Sequence, residues 1–215
     1  MKNKNKQADK QIRLSPHMAY NLKKDPKRLA FVLARYAFAA QMTDSCESIL
    51  ELGCSEGIGA PMLHKGTKKY LGLDLDTPAI EAAEKNFSTE SVRFENTNFL
   101  GLQESFFDAV VSLDVIEHIL HGKDEDAFFK TISDNIHSDG ICVIGTPNAT
   151  STPYASPESQ KGHVNMFDAN RLKSTVEKYF KTVLIFSMND EIVHTGYYPM
   201  SHYLFAVGCN KIEQG

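Results

Sequence analysis

The sequence predicts an α/β domain, with a single open, mostly parallel sheet covered by helices on both faces. Three observations carry this expectation. Short apolar runs alternate with longer stretches of helical periodicity over most of the chain. The run from Ser48 to Leu63, SILELGCSEGIGAPML, passes from an apolar strand through three glycines into a pattern that starts a helix. Acidic residues stand at strand ends, Glu51 in the first and Asp74 in the second. At 215 residues, with 42% hydrophobic and 23% charged residues, the chain suits one well-buried core and is short for two full domains.

Taken in order, residues 1–14 carry Lys2, Lys4, Lys6, Lys10 and Arg13 against Asp9 and bury too little apolar surface to offset ordering entropy, so a flexible basic tail is expected. Residues 15–47 read as an N-terminal helical segment. Asp25 and Pro26 signal an N-cap and first turn, and Leu29, Val32, Leu33, Tyr36, Ala37 and Ala40 follow at helical spacing. The main domain is expected over 48–212. Its glycines Gly53, Gly57 and Gly59 follow G-x-x-x-G-x-G, and a dinucleotide fingerprint from Gly53 would need glycine where Ser55 and Ile58 stand. A carboxylate at Glu51 suits a ligand carrying an ammonium or sulfonium and repels a pyrophosphate. The loop residues Cys54 and Ser55 lie within the same ligand-binding turn.

The second strand runs over Tyr70 to Leu73 and ends at Asp74, whose carboxylate is placed to accept from two vicinal ribose hydroxyls. Asp76 reads as the cap of the helix that follows. Val92 to Phe94 form the third strand, and Phe106-Phe107-Asp108 leads into the fourth, Ala109 to Leu113.

The E-x-G-x-x-x-G-x-G loop, the GLDLD strand end and the string FDAVVSLDVIEHI resemble, in that order, motifs of the class I S-adenosylmethionine-dependent methyltransferases of small-molecule type. The resemblance covers Ile49 to Ile119. It implies a Rossmann-like, seven-stranded sheet of order 3-2-1-4-5-7-6 with strand 7 antiparallel, and S-adenosylmethionine as cofactor. It also assigns Asp74 to the ribose and Leu75 to one face of the adenine. Asn98 stands where relatives carry an aspartate for the adenine amino group, with Phe99 as its stacking neighbour. Leu113 to Val115, with Asp114 at the centre, flank the methionine end. Arg35 and Tyr20, in the N-terminal segment, are pocket residues by the same resemblance. Leu113-Asp114-Val115-Ile116 replaces the tetrapeptide with which adenine-specific amino-methyltransferases hold a flipped base, which sets that chemistry aside.

A helix over Asp124 to Asn135 ends at a turn, Ser138-Asp139-Gly140, before a fifth strand, Ile141 to Gly145. The Ser-, Thr- and Pro-rich stretch 146–167 is too long for an ordinary connection, so it is an active-site lid or a disordered insert, and the lid is favoured. Its Thr146 to Asn148 and Gly162 to Phe167 resemble elements of ubiquinone-biosynthesis-type O-methyltransferases. Asp168 caps the last helix, and two strands, Thr182 to Phe186 and Tyr203 to Gly208, complete the sheet. The loop between them holds Asp190, Glu191, His194, Tyr197, Tyr198 and His202, a set suited to an acceptor pocket.

Histidines titrate near neutrality, so His163, His118 and His194 are the candidate bases, in that order. No metal-ligand motif at close spacing is present, and none is expected. The net charge of -4 argues against a phosphate-binding face, which makes nucleic acid an unfavoured partner and a small molecule the expected acceptor. The four dispersed cysteines, the absence of a long apolar run and the polar start fit a reduced, cytoplasmic protein outside the membrane, monomeric or homodimeric. The leading expectation is methyl transfer to a hydroxyl of a small polar metabolite. Methylation of RNA or a protein side chain, and cofactor binding without turnover, are the alternatives.

Overall fold

The computed structural model describes residues 11–14, 16–65 and 69–213. The basic tail expected over 1–14 lies outside the described residues as far as residue 10. Beyond that, the Arg13 backbone exchanges two hydrogen bonds with the Asn86 side chain, at 3.1 and 2.9 Å.

Two helices precede the sheet, α1 (Pro16–Lys24) and α2 (Pro26–Met42), where the sequence suggested a single start at Asp25. Pro26 divides them because it has no N–H to continue α1. Asp25 holds the cap position without a side-chain cap bond and instead pairs with Arg28 at 3.3 Å. The alternating units follow: β1 (Ser48–Leu52), α3 (Ala60–Leu63), β2 (Lys69–Asp74), α4 (Thr77–Phe87), β3 (Val92–Asn96) and β4 (Phe107–Leu113). Asp76 caps α4 as expected, accepting from Ala79 N–H.

The chain continues through α5 (Lys123–Asp134), β5 (Ile136–Pro147), α6 (Pro157–Gly162), α7 (Ala169–Val176), β6 (Phe180–Asn189), β7 (Ile192–His194) and β8 (Tyr203–Lys211). Ser138 to Gly140 are not a turn before β5. They lie inside it, where the register with β4 shifts between Phe107 and Ala109. Such a bulge lets extra residues enter a strand while pairing resumes beyond them.

The sheet order is β3-β2-β1-β4-β5-β8-β6-β7. β1 to β5 pair in parallel, and β8 runs antiparallel to both β5 and β6. This is the expected topology with one strand more. The extra strand, β7, is a short hairpin return on β6 formed by residues expected to be loop. The period-two pleat divides the core between the faces. Ile49, Ala109, Val111 and Phe205 pack toward α2 to α4, while Leu50, Leu52, Val110 and Ile144 pack with Phe128 and Ile132 of α5 and Leu172 of α7. Among the described residues no helix is long and apolar enough to cross a membrane.

Candidate active site

The loop from β1 to α3 lies at the carboxyl edge of the parallel strands, where open α/β sheets bind ligands. Gly53 and Gly57 have φ of 79° and 73°, and Ser55 shares the left-handed region at 47°. These values turn backbone N–H groups toward the strand ends. Asp74 Oδ2 accepts from Ser55 N–H at 2.7 Å and Oδ1 from Asp76 N–H at 2.9 Å, which fixes its carboxylate at the loop's edge. Next to it, Leu75 is 62% exposed, an apolar side chain held at the surface.

Glu51 does not stand in the loop. It points from β1 to the α2 side of the sheet, fully buried, and accepts hydrogen bonds from Tyr36 of α2 at 2.7 Å and from Tyr70 of β2. Burial pushes its pKa up to about 7, against the pull of the two tyrosine hydroxyls. Cys54 is likewise buried, its thiol pushed far up by desolvation, and the loop backbone rather than its sulfur faces the cleft.

A cavity of about 410 Å³ opens beside the loop, lined by Gly53, Cys54, Ser55, Tyr36, Leu113, Asp114 and His118. A second of the same size lies beyond it, lined by Phe31, Ser151, Thr152, Gln160, His163 and Met166. Arg28, Val32, Arg35 and Asp114 line both. At that junction Arg35 places Nη1 2.7 and 2.6 Å from the two oxygens of Asp114 and lays its guanidinium 4.0 Å above the Tyr203 ring. Asp114 adopts φ 58°, a strained value for a non-glycine residue, and its N–H bonds to Gly145. The Asp114 carboxylate offsets desolvation and raises Arg35 further above its usual range.

Other expectations are corrected. Phe99 is 6% exposed and packs edge-on against Phe128, so it belongs to the core and leaves no face for a base. Its neighbour Asn98 is exposed, with Oδ1 accepting from Leu100 N–H. His194 sits on β7, bonded to the Ser187 hydroxyl, and lines neither cavity. With it, Asp190, Glu191, Tyr197, Tyr198 and His202 stay outside both cavities, so the loop before β8 is a surface hairpin. Tyr20 is 62% exposed on α1, and Met18 of that helix lines the cofactor-side cavity instead.

His163 and His118 do converge, with ring centroids 5.0 Å apart. Burial and the neighbouring imidazole lower the pKa of His163. Glu117 joins them from the short helical turn Ile116–His118, and one side-chain atom from each of the three lies within 4.8 Å of the other two. The sequence reading also missed Arg28 and Gln160. A signal for Arg28 was present, since Arg28, Val32 and Arg35 share one stripe of α2.

Comparison with known proteins agrees with this geometry. A family model described as a methyltransferase domain matches residues 50–144. A probable S-adenosylmethionine-dependent methyltransferase of Mycolicibacterium smegmatis is 27% identical over 130 residues, 60% of this chain and 49% of that protein. Residues 50–144 therefore match a methyltransferase domain, and the chain is similar to S-adenosylmethionine-dependent methyltransferases. The ubiquinone biosynthesis O-methyltransferase of Psychrobacter arcticus is 24% identical over 135 residues, 59% of this chain and 51% of that one. The chain thus spans about half the length of these curated relatives. The N-methyltransferase NodS of Bradyrhizobium japonicum, solved with S-adenosyl-l-homocysteine, superimposes with a TM-score of 0.64 at 16% identity. That match covers 89% of this chain and 91% of NodS, a likeness of fold.

Proposed function

We propose that this methyltransferase domain transfers a methyl group from S-adenosylmethionine to an oxygen of a small polar metabolite. The observation that carries the reading is the pair of cavities meeting at Asp114, one against the glycine loop and one under the 146–167 segment. The residues fit the cofactor. Asp74 keeps acceptor lone pairs for two ribose hydroxyls beyond the backbone bonds it already accepts. Leu75 offers an apolar face to the adenine, and Asn98 Oδ1 has a second lone pair for the adenine amino group. The backbone of Gly53 to Gly59 allows close approach, and Asp114, which lines both cavities, supplies negative potential near the methionine end. When bound, the cofactor supplies an electrophilic methyl group.

The chain's own contribution is positioning and exclusion of water. Phe31, Val32 and Met166 give the acceptor cavity apolar walls, while Ser151, Thr152 and Gln160 supply hydrogen-bonding partners for a polar substrate. The hydroxyl proton is removed at the cluster containing His163, which acts as the lid histidine facing that cavity. Calorimetry with S-adenosylmethionine and S-adenosylhomocysteine tests the cofactor assignment. Asp74→Ala is expected to weaken both at least tenfold with the fold retained, since it removes charge-assisted hydrogen bonds to two hydroxyls. Equal affinity in the variant would remove the ribose role.

A further inference from the structure

Arg35 stands on α2 where the two cavities meet, with 19% of its side chain exposed. Its Nη1 is spent on the two oxygens of Asp114, and the flat of the guanidinium rests on the Tyr203 ring. Among the described residues the other two nitrogens find no acceptor, and Nε is fully enclosed. The Tyr203 hydroxyl is buried without a partner as well. Buried donors are almost always paired, so two orphans at one junction mark a site that is incomplete without a ligand. The edge left over is the one that recognises ligands. Nε and Nη2 form a fork whose parallel N–H groups match two oxygens of a carboxylate or a phosphate.

We propose that the Nε–Nη2 edge of Arg35 takes an oxyanion of the acceptor, a phosphate ester or a carboxylate, at the junction of the two cavities. The proposal rests on the methyl-transfer reading and names its substrate class: the polar metabolite is an anion. Both acids lining the cavity under the 146–167 segment are already paired with arginines, Asp25 with Arg28 at 3.3 Å and Asp114 with Arg35 at 2.6 Å. An arriving anion therefore meets no uncompensated carboxylate there. It enters at Nη2, which is not enclosed, and the flexible stem of the side chain lets Nε follow. The cofactor's own carboxylate is the competing occupant, since Arg35 lines that cavity too. The backbone N–H groups of the glycine loop are at hand for it, whereas beyond the arginines the second cavity offers an anion only neutral donors such as Ser151, Thr152 and Gln160. An anion held by the fork fixes the rest of the molecule, and this anchoring turns binding energy remote from the reacting hydroxyl into orientation.

The test uses the full chain, ¹⁵N-labelled and saturated with S-adenosylhomocysteine, titrated with phenyl phosphate and separately with benzoate while arginine Nε–H resonances are followed by NMR. Contacts to the Tyr203 ring assign the Arg35 signal in wild type, so the reading does not depend on a variant folding. The expected result is a shift of that signal on saturation with at least one probe, and the probe that binds tells phosphate from carboxylate. Arg35→Lys keeps a charge opposite Asp114 and loses the fork, so it is expected to bind that probe at least tenfold more weakly while its affinity for S-adenosylhomocysteine changes less than twofold. An unmoved Arg35 signal with both probes overturns the anion site, as does equal probe affinity in wild type and folded Arg35→Lys. Loss of S-adenosylhomocysteine affinity in the variant with probe binding intact overturns it too, and assigns the arginine to the cofactor's carboxylate. Failure of the wild type to bind S-adenosylhomocysteine while a probe still moves the Arg35 signal would instead overturn the methyl-transfer reading alone.

Discussion

A Cβ added to Gly59 would lie 2.0 Å from Tyr36 Cε1 and 2.4 Å from Cζ, and the same tyrosine donates its hydroxyl to Glu51. The backbone at Gly59 has φ −77°, open to any residue, so the constraint is a ring pressed against the chain. Gly53 differs, combining a left-handed φ of 79° with Val115 Cγ2 only 2.2 Å from where a Cβ would stand. Gly59→Ala is therefore expected to destabilise the fold by about 1–3 kcal/mol through overpacking against Tyr36. Urea unfolding measures it, and an unchanged midpoint would show that Tyr36 has room to retreat. The glycine spacing was legible in the sequence as a ligand loop. The reason for the third glycine was not, because Tyr36 reaches it from another element.

The segment between β5 and α7 shows the same division at the scale of an element. Its composition marked it as a lid or a disordered insert, and gave no sign of the anchors that hold it. The Asn148 side chain donates to the Tyr198 and Ser201 carbonyls at 2.8 and 2.9 Å. At the other end buried Glu125 of α5 accepts from Asn165 at 2.8 Å and Arg171 at 2.5 Å, while Arg171 lies 3.8 Å over the Phe167 ring. Each of these hydrogen-bonded pairings joins residues at least 40 apart in sequence, which local pattern does not encode. His163 reaches its cavity because these ties fix the residues after it. Glu125→Ala leaves Arg171 and Asn165 without their acceptor and is expected to cost about 3 kcal/mol, the range for breaking a buried ion pair. Hydrogen exchange should show lost protection concentrated at residues 163–167. Uniform loss across the sheet would mean that Glu125 supports α5 rather than the lid.

Across the whole molecule, the mostly parallel sheet was legible because an alternating strand–helix pattern winds with right-handed crossovers, and the strand order came from the resemblance to the class I methyltransferases. The role of Glu51 was not, because sequence places it at a strand end without saying which face it takes. The pleat sends it beneath the loop, where it ties β1 to α2 and β2 through Tyr36 and Tyr70. That position has a consequence for global stability. The folded-state pKa is raised from 4.5 to about 7, so between those values the folded chain keeps a proton that the unfolded chain has released. Stability contributed by the neutral form is complete below the unfolded value and is lost as pH rises through the folded one, an effect of roughly 3 kcal/mol. Glu117 is also raised, to about 8, by burial and by Asp114, so the raw stability curve mixes two carboxyls. Subtracting the curve of Glu51→Gln, which leaves Glu117 in place, isolates Glu51. The wild-type minus variant difference in unfolding free energy should fall between pH 4.5 and 8. A flat difference would mean that the two tyrosine hydroxyls keep Glu51 ionised throughout, a fixed negative charge under the loop in place of one that titrates with the cell's pH.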